Sequence, residues 1–137
     1  MTSMWKIRDT AGWTMLVFGV LALLFGLLGL LRTQLFLSIL GFPVLDRAAR
    51  VIGDYTLVFM IASSIASFDI GAYYVLAALY DLKLLYKWTV PFRCLTFVVF
   101  TTAVITRLAP PRFVLVGAWE LAGAMATYFA LRSSNEI

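Results

Sequence analysis

Twenty consecutive residues, Gly12 to Leu31, carry no charge, and this stretch constrains the fold more than any motif in the chain. At 1.5 Å per helical residue it matches the ~30 Å hydrocarbon core of a bilayer. Backbone groups in lipid must bond to one another, which leaves helices or closed barrels, and long unbroken apolar runs select helices. Similar runs follow to the end of the chain, with 63% of residues hydrophobic and 13% charged. A water-facing domain uses about 25% charged residues, so the surface here faces lipid. The sequence therefore reads as all-α, a polytopic transmembrane helical bundle, with residues 1–137 in a single domain.

Lys6 and Arg8 ahead of the first run imitate a secretory signal. The run is too long for a signal core, and no small-x-small cleavage site precedes Arg32, so it reads as a permanent helix. Gly12, Gly19 and Gly26 recur every seven residues on one face, where a neighbouring helix or a second copy of the chain could approach closely. Between residues 33 and 45, Leu35, Phe36, Ile39 and Leu40 suit either an interfacial helix or a re-entrant loop, ended by Gly41-Phe42-Pro43. Val51 to Trp88 exceeds one span, and a break is expected at Ser67-Phe68-Asp69-Ile70-Gly71, with Asp69 as a cap. Pro91 is expected in the first turn of the next helix. The spans are then 12–31, 48–67, 70–88, 90–107 and 113–131, five in all, with four plus an interfacial helix as the alternative. Five spans put the termini on opposite sides. Arg32, Arg47, Arg50, Lys83, Lys87, Arg93 and Arg132 would share one side against Lys6, Arg8, Arg107 and Arg112 on the other. Basic loops are cytoplasmic, so the C-terminus is expected in the cytoplasm and the N-terminus lumenal or extracellular.

The basic residues gather at helix ends without forming an aromatic-lined groove, so nucleic acid is not expected as a partner. Cys94 is the single cysteine, and there is no histidine. Histidine-based catalysis, haem ligation and multi-cysteine metal sites are thereby excluded, and neither metal nor cofactor is expected. Proton chemistry would fall to carboxylates, tyrosines or lysines.

Carboxylates do interrupt the apolar runs, at Asp54, Asp81 and Glu120. An ionised acid at the bilayer centre costs roughly 2.5 kcal/mol or more, so such groups turn inward and often work. Glu120 shares its helix face with Gly117, Gly123, Ala124 and Thr127, small and polar residues that suit helix contact. The expected spans bring Asp54, Asp81 and Arg93 to similar depth in one leaflet, around a hollow lined by Tyr55, Tyr73, Tyr80, Arg93 and Trp119. A neutral carboxylic acid in apolar surroundings donates protons, a second carboxylate takes them back, and aromatic faces steady cations. The reading is a cofactor-independent isomerase or cyclase acting on a lipophilic isoprenoid-, sterol- or polyketide-like molecule, with Glu120 as acid and Asp54 or Asp81 as base. Its partners would be that molecule and membrane lipid. Two plainer readings stand beside it. Asp54 and Asp81 could be ion-pair partners of Arg50, Lys83 or Arg93, with Lys83 and Lys87 snorkelling and Tyr86 and Trp88 at the interface. The chain could equally be a non-catalytic scaffold or assembly subunit that binds another membrane protein, or a homo-oligomer through the Gly12/Gly19/Gly26 face.

Gly41-Phe42-Pro43 after a first helix, followed by Arg50-Val51-Ile52-Gly53-Asp54-Tyr55 opening the second, resembles the DoxX-like group of small integral membrane proteins. The resemblance covers about two fifths of the chain. It implies a bundle of four helices, where the residues read as five, and it assigns no residue a role because functions in that group are varied.

Overall fold

A computed structural model describes residues 6–136. Four helices are long and apolar enough to cross a membrane: α1 (Thr10–Leu31), α3 (Thr56–Tyr80), α4 (Lys83–Ile105) and α5 (Val114–Ser133), with a short α2 (Thr33–Leu40) between the first two. The protein is thus an integral, multi-pass membrane protein of four spans and a short amphipathic helix, not five spans.

α1 begins at Asp9, whose side chain accepts a hydrogen bond from the Gly12 N–H at 2.8 Å, filling one of the vacant donors of the first turn. α2 follows directly and stops at Gly41, whose φ of 85° is a left-handed conformation that suits glycine. Leu37 is buried while Leu35 and Ile39 face outward. At eight residues, or about 12 Å, α2 is too short to cross. Single 3₁₀ turns at Arg47–Ala49 and Pro111–Phe113 shape the connections before α3 and α5.

The expected break at Ser67–Gly71 does not occur: α3 runs through it for 25 residues. Ser67 and Gly71 serve helix contact instead. The Ser67 hydroxyl donates to the Ala22 carbonyl of α1 at 3.0 Å, and Gly71 lies against the backbone of Gly19 and Leu23. The break falls at Asp81, left-handed at φ 55°, a conformation that aspartate tolerates better than most residues. α4 therefore starts seven residues earlier than expected, and Pro91 stands inside it, not in its first turn. The helices drawn at 48–67, 70–88 and 90–107 are in fact two.

α1 and α3 form one close pair, α4 and α5 the other. A Cβ on Gly26 would lie 2.6 Å from the Phe68 nitrogen, and one on Gly19 would lie 2.9 Å from the Val75 nitrogen. Only glycine lets the two backbones approach this closely. The glycine face expected to receive a second copy is occupied by α3 of the same chain at Gly19 and Gly26, and by Ile7, Asp9 and Tyr86 at Gly12. The two pairs meet through α1 and α5, where the Thr14 and Thr127 hydroxyls lie 3.0 Å apart.

Ala11, Met15, Ala77, Ala78, Tyr86, Ala130 and Leu131 form one buried cluster. It gathers the start of α1, the end of α3, the start of α4 and the end of α5, so both ends of the described chain lie at the same end of the bundle, not at opposite ends as five spans required. Lys6, Arg8, Lys83, Lys87 and Arg132 belong to this end, and Arg32, Arg47, Arg50, Arg107 and Arg112 to the other. With five cations at each end, basic residues give the bundle no preferred orientation.

Candidate functional site

Arg93 is the eleventh of the 23 residues of α4, about 15 Å along its axis, and only 3% exposed. Its Nε donates to Glu120 Oε2 of α5 at 2.8 Å. All four long helices hold this pair. The guanidinium carbon lies 4.2 Å from the Phe18 ring centre of α1 and 5.8 Å from that of Tyr74 on α3, and Trp119 packs on Phe18 at 4.4 Å. A Cβ on Gly123 would collide with the guanidinium, so the missing side chain of α5 is the space the arginine fills. A flat, weakly hydrated guanidinium suits a place between aromatic faces where a lysine ammonium would not. Arg93 Nη1 is buried without a partner among the described residues.

A second charged cluster closes the end that holds both chain termini. The Lys83 ammonium binds the Asp9 carboxylate and lies 3.0 Å from Asp81 Oδ1, while Arg8 approaches Asp81 at 3.7 Å. Partial burial, the largest single influence, pushes the Asp9 carboxyl up; the hydrogen bonds from Lys83 and Gly12 and the charge of Lys83 together outweigh it and hold Asp9 below its ordinary value. Lys83 thus ties α1 to the α3–α4 turn and does not simply snorkel. Beside it Tyr86, expected at the interface, is fully buried, and its hydroxyl donates at 3.1 Å to the Ala77 carbonyl, which also accepts from the backbone N–H of Leu82 at the end of α3. Trp88 is 57% exposed.

Asp54 lies at the far end. Arg50 pairs with it at 2.6 Å, and its other oxygen accepts from the Thr56 N–H at 2.9 Å at the mouth of α3. Hydrogen bonds from the Thr56 hydroxyl and N–H, then the Arg50 contact, hold Asp54 below its ordinary value. The 25 residues of α3 separate Asp54 from Asp81 by about 37 Å of helix. The expected convergence of Glu120, Asp54 and Asp81 does not form: they lie at mid-depth and at the two opposite ends. The cause is the continuity of α3, since a break at 67–71 would have folded Asp54 and Asp81 into the same leaflet. Of the expected lining residues, Arg93 and Trp119 do stand with Glu120, whereas Tyr55, Tyr73 and Tyr80 are 63%, 61% and 51% exposed on the outside.

Two clefts open at the ends of the bundle. One of about 440 Å³ is lined by Ser38, Gly41, Phe42, Pro110, Pro111 and Arg112. The other, about 310 Å³, is lined by Lys87, Val90, Pro91, Tyr128, Leu131 and Arg132. Both present basic side chains, and neither is lined by Glu120, Asp54 or Asp81. Among the described residues no three His, Cys, Asp or Glu side chains gather as a metal site would require.

Asp69 differs from the other acids. Expected to cap a turn, it is the fourteenth of the 25 residues of α3 and faces outward. Among the described residues no hydrogen bond or ion pair reaches it. An unmatched aspartate at that depth costs roughly 2.5 kcal/mol or more. Its signal was present in the sequence, because the apolar spacing passes through residue 69 unbroken, as a cap would not allow. Gly123 stood on the expected inward face of Glu120, whereas Phe18 and Tyr74, which complete the Arg93 site, carry no such mark.

Comparison of the chain with protein-family models, with curated proteins and with solved structures finds no match.

Proposed function

We propose that the protein is a non-catalytic assembly subunit, a small helical scaffold that binds another membrane protein. The Arg93–Glu120 pair carries this reading. The acid with the strongest claim to proton chemistry has its charge matched by a guanidinium 2.8 Å away, and that guanidinium is held by groups from every long helix. An acid so engaged joins helices. An isomerase or cyclase working on a lipophilic molecule would need a second carboxylate beside Glu120, and Asp54 and Asp81 are each engaged with cations at opposite ends. A scaffold also needs an outer surface to offer, and the exposed side of α3 supports the reading in that respect.

The test is extraction of the protein from its native membrane in polymer-bounded lipid discs, followed by native mass spectrometry. A complex of fixed stoichiometry with another membrane polypeptide is the expected result. A chain that emerges alone, carrying one equivalent of a non-phospholipid lipophile that the Glu120→Gln variant leaves unconverted, would overturn the reading in favour of catalysis.

A further inference from the structure

We infer that the outer face of α3 is a docking seam for a membrane-spanning helix of another protein, one that carries a lysine or arginine at mid-depth to pair with Asp69. The inference rests on the assembly-subunit reading and names the partner's chemistry. Phe59, Ala62, Ala66, Asp69, Tyr73 and Leu76 follow alternating steps of three and four residues, the spacing of a helix side that packs along another helix. All six are exposed, Phe59 at 70% and Tyr73 at 61%. Ser64, Gly71 and Ala78, turned toward α1, are buried on the opposite side. The two alanines before Asp69 leave room for close approach of a second backbone. The carboxylate itself stands about 20 Å from one end of α3 and about 17 Å from the other, beyond the reach of headgroups.

Charge selects the occupant. Hydrocarbon offers Asp69 nothing. A second copy of the chain brings no free cation to this depth, because Arg93, its mid-membrane basic residue, is 3% exposed and bound to its own Glu120. Two copies meeting face to face on this seam would set one Asp69 against another, which adds repulsion to the cost of desolvation. A basic residue on a foreign helix neutralises the acid and donates hydrogen bonds to it, and intramembrane charges are resolved by such pairing.

The probe is a leucine/alanine helix of about 24 residues, long enough to span, with a single central lysine, or with leucine in its place as control. Acceptor-labelled probe and donor-labelled full-length protein are combined in phosphatidylcholine vesicles and energy transfer is titrated. The lysine helix should associate about tenfold more tightly than the leucine helix, and Asp69→Leu should erase the difference. Ala66→Leu, which retains the acid but fills the seam, should also weaken the lysine helix. Equal association of both helices, association of neither, or a lysine preference that survives Asp69→Leu would overturn the inference, as would Asp69-dependent association of the protein with itself. If Asp69→Leu leaves a native complex intact, the seam is wrong while the assembly-subunit reading stands. Absence of any complex from the native membrane removes both.

Discussion

Glu120 and Asp69 stand at comparable depth, the tenth residue of the span Pro111–Ser133 and the fourteenth of Thr56–Tyr80, yet one is paired with a cation of its own bundle and the other has no partner among the described residues. Glu120 faces the interior, where Arg93 meets it and Phe18, Tyr74 and Gly123 shape the space for the arginine. Asp69 faces out, and among the described residues nothing stands opposite it. Both carry the same penalty for entering hydrocarbon. The difference is that the inner acid has its compensation within the chain, and the outer one does not. A charge compensated internally fixes the register of the helices; one left over on the surface is a demand on something outside the chain.

The strongest attempt to break this comparison is removal of the inner acid. Glu120→Ala leaves Arg93, with its side chain 4% exposed, as an uncompensated buried cation, and breaking such a pair costs about 3 to 5 kcal/mol. The folded fraction in detergent should fall accordingly, read from the unfolding midpoint by circular dichroism. The double variant Arg93→Met with Glu120→Leu should recover most of the loss, because charge and counter-charge leave together. If the single and double variants are equally unstable, the pair contributes packing and not charge compensation.

The outer acid should behave in the opposite way. Asp69→Leu exchanges an unpaired carboxylate at mid-depth for a side chain that lipid accepts, so the isolated protein should insert more favourably by roughly 2.5 kcal/mol, measured as the membrane-inserted fraction of α3 in a translocation reporter. A loss of stability in the isolated chain would mean that Asp69 has an internal partner, and the contrast with Glu120 would disappear.

A third substitution separates charge from backbone proximity. Gly26→Ala places a Cβ 2.6 Å from the Phe68 nitrogen, a contact that only movement of α1 away from α3 can relieve. Overpacking of this kind costs about 1 to 3 kcal/mol, and the effect should appear as a lower unfolding midpoint with the Arg93–Glu120 pair intact. Gly53→Ala is the control for space, since nothing lies within 4 Å of that position, although its φ of 95° adds strain of its own.

The outer helices were legible in the sequence because an uncharged run of one span's length, Gly12 to Leu31, marks α1, and Pro110-Pro111 breaks the chain before α5. The inward face of Glu120 was legible too, since Gly117, Gly123, Ala124 and Thr127 are all buried, as their spacing predicts. The middle of the chain misled because Ser67 and Gly71 have two meanings. In water they loosen a helix; between membrane helices they are the residues that permit contact, and the Ser67 bond to Ala22 is of that kind. Pro91 is ambiguous in the same way, as proline inside a membrane helix is tolerated where neighbours and local adjustment satisfy the freed carbonyl. Misplacing the start of α4 by seven residues moved Arg93 from mid-depth to the outer part of one leaflet, and so hid its pairing with Glu120. Cross-helix pairs follow from helix boundaries, and a local error in one erased the other.

The smallest effect belongs to the pair at the water boundary, and it sharpens the comparison by showing what a charge contributes where solvent competes. Asp9 is held below its ordinary 3.8 with Lys83 as its main partner, so the folded protein binds the Asp9 proton more weakly than the unfolded chain does. The contribution is therefore complete above pH 3.8 and is lost as pH falls below it through the folded-state value. Asp9 and Lys83 pair at the end of the bundle, beside the first turn of α1, where water competes, and pairs of this kind contribute less than about 1 kcal/mol. Unfolding midpoints between pH 3 and pH 6 should fall slightly more steeply for the wild type than for Asp9→Asn at the acid end, and the two curves should run parallel above pH 5. Added salt should narrow the gap at Asp9 while leaving the Glu120→Ala loss unchanged, because ions reach the first pair and not the second. If both losses respond equally to salt, Arg93 and Glu120 are in contact with water, and the distinction between a compensated interior and a demanding surface fails.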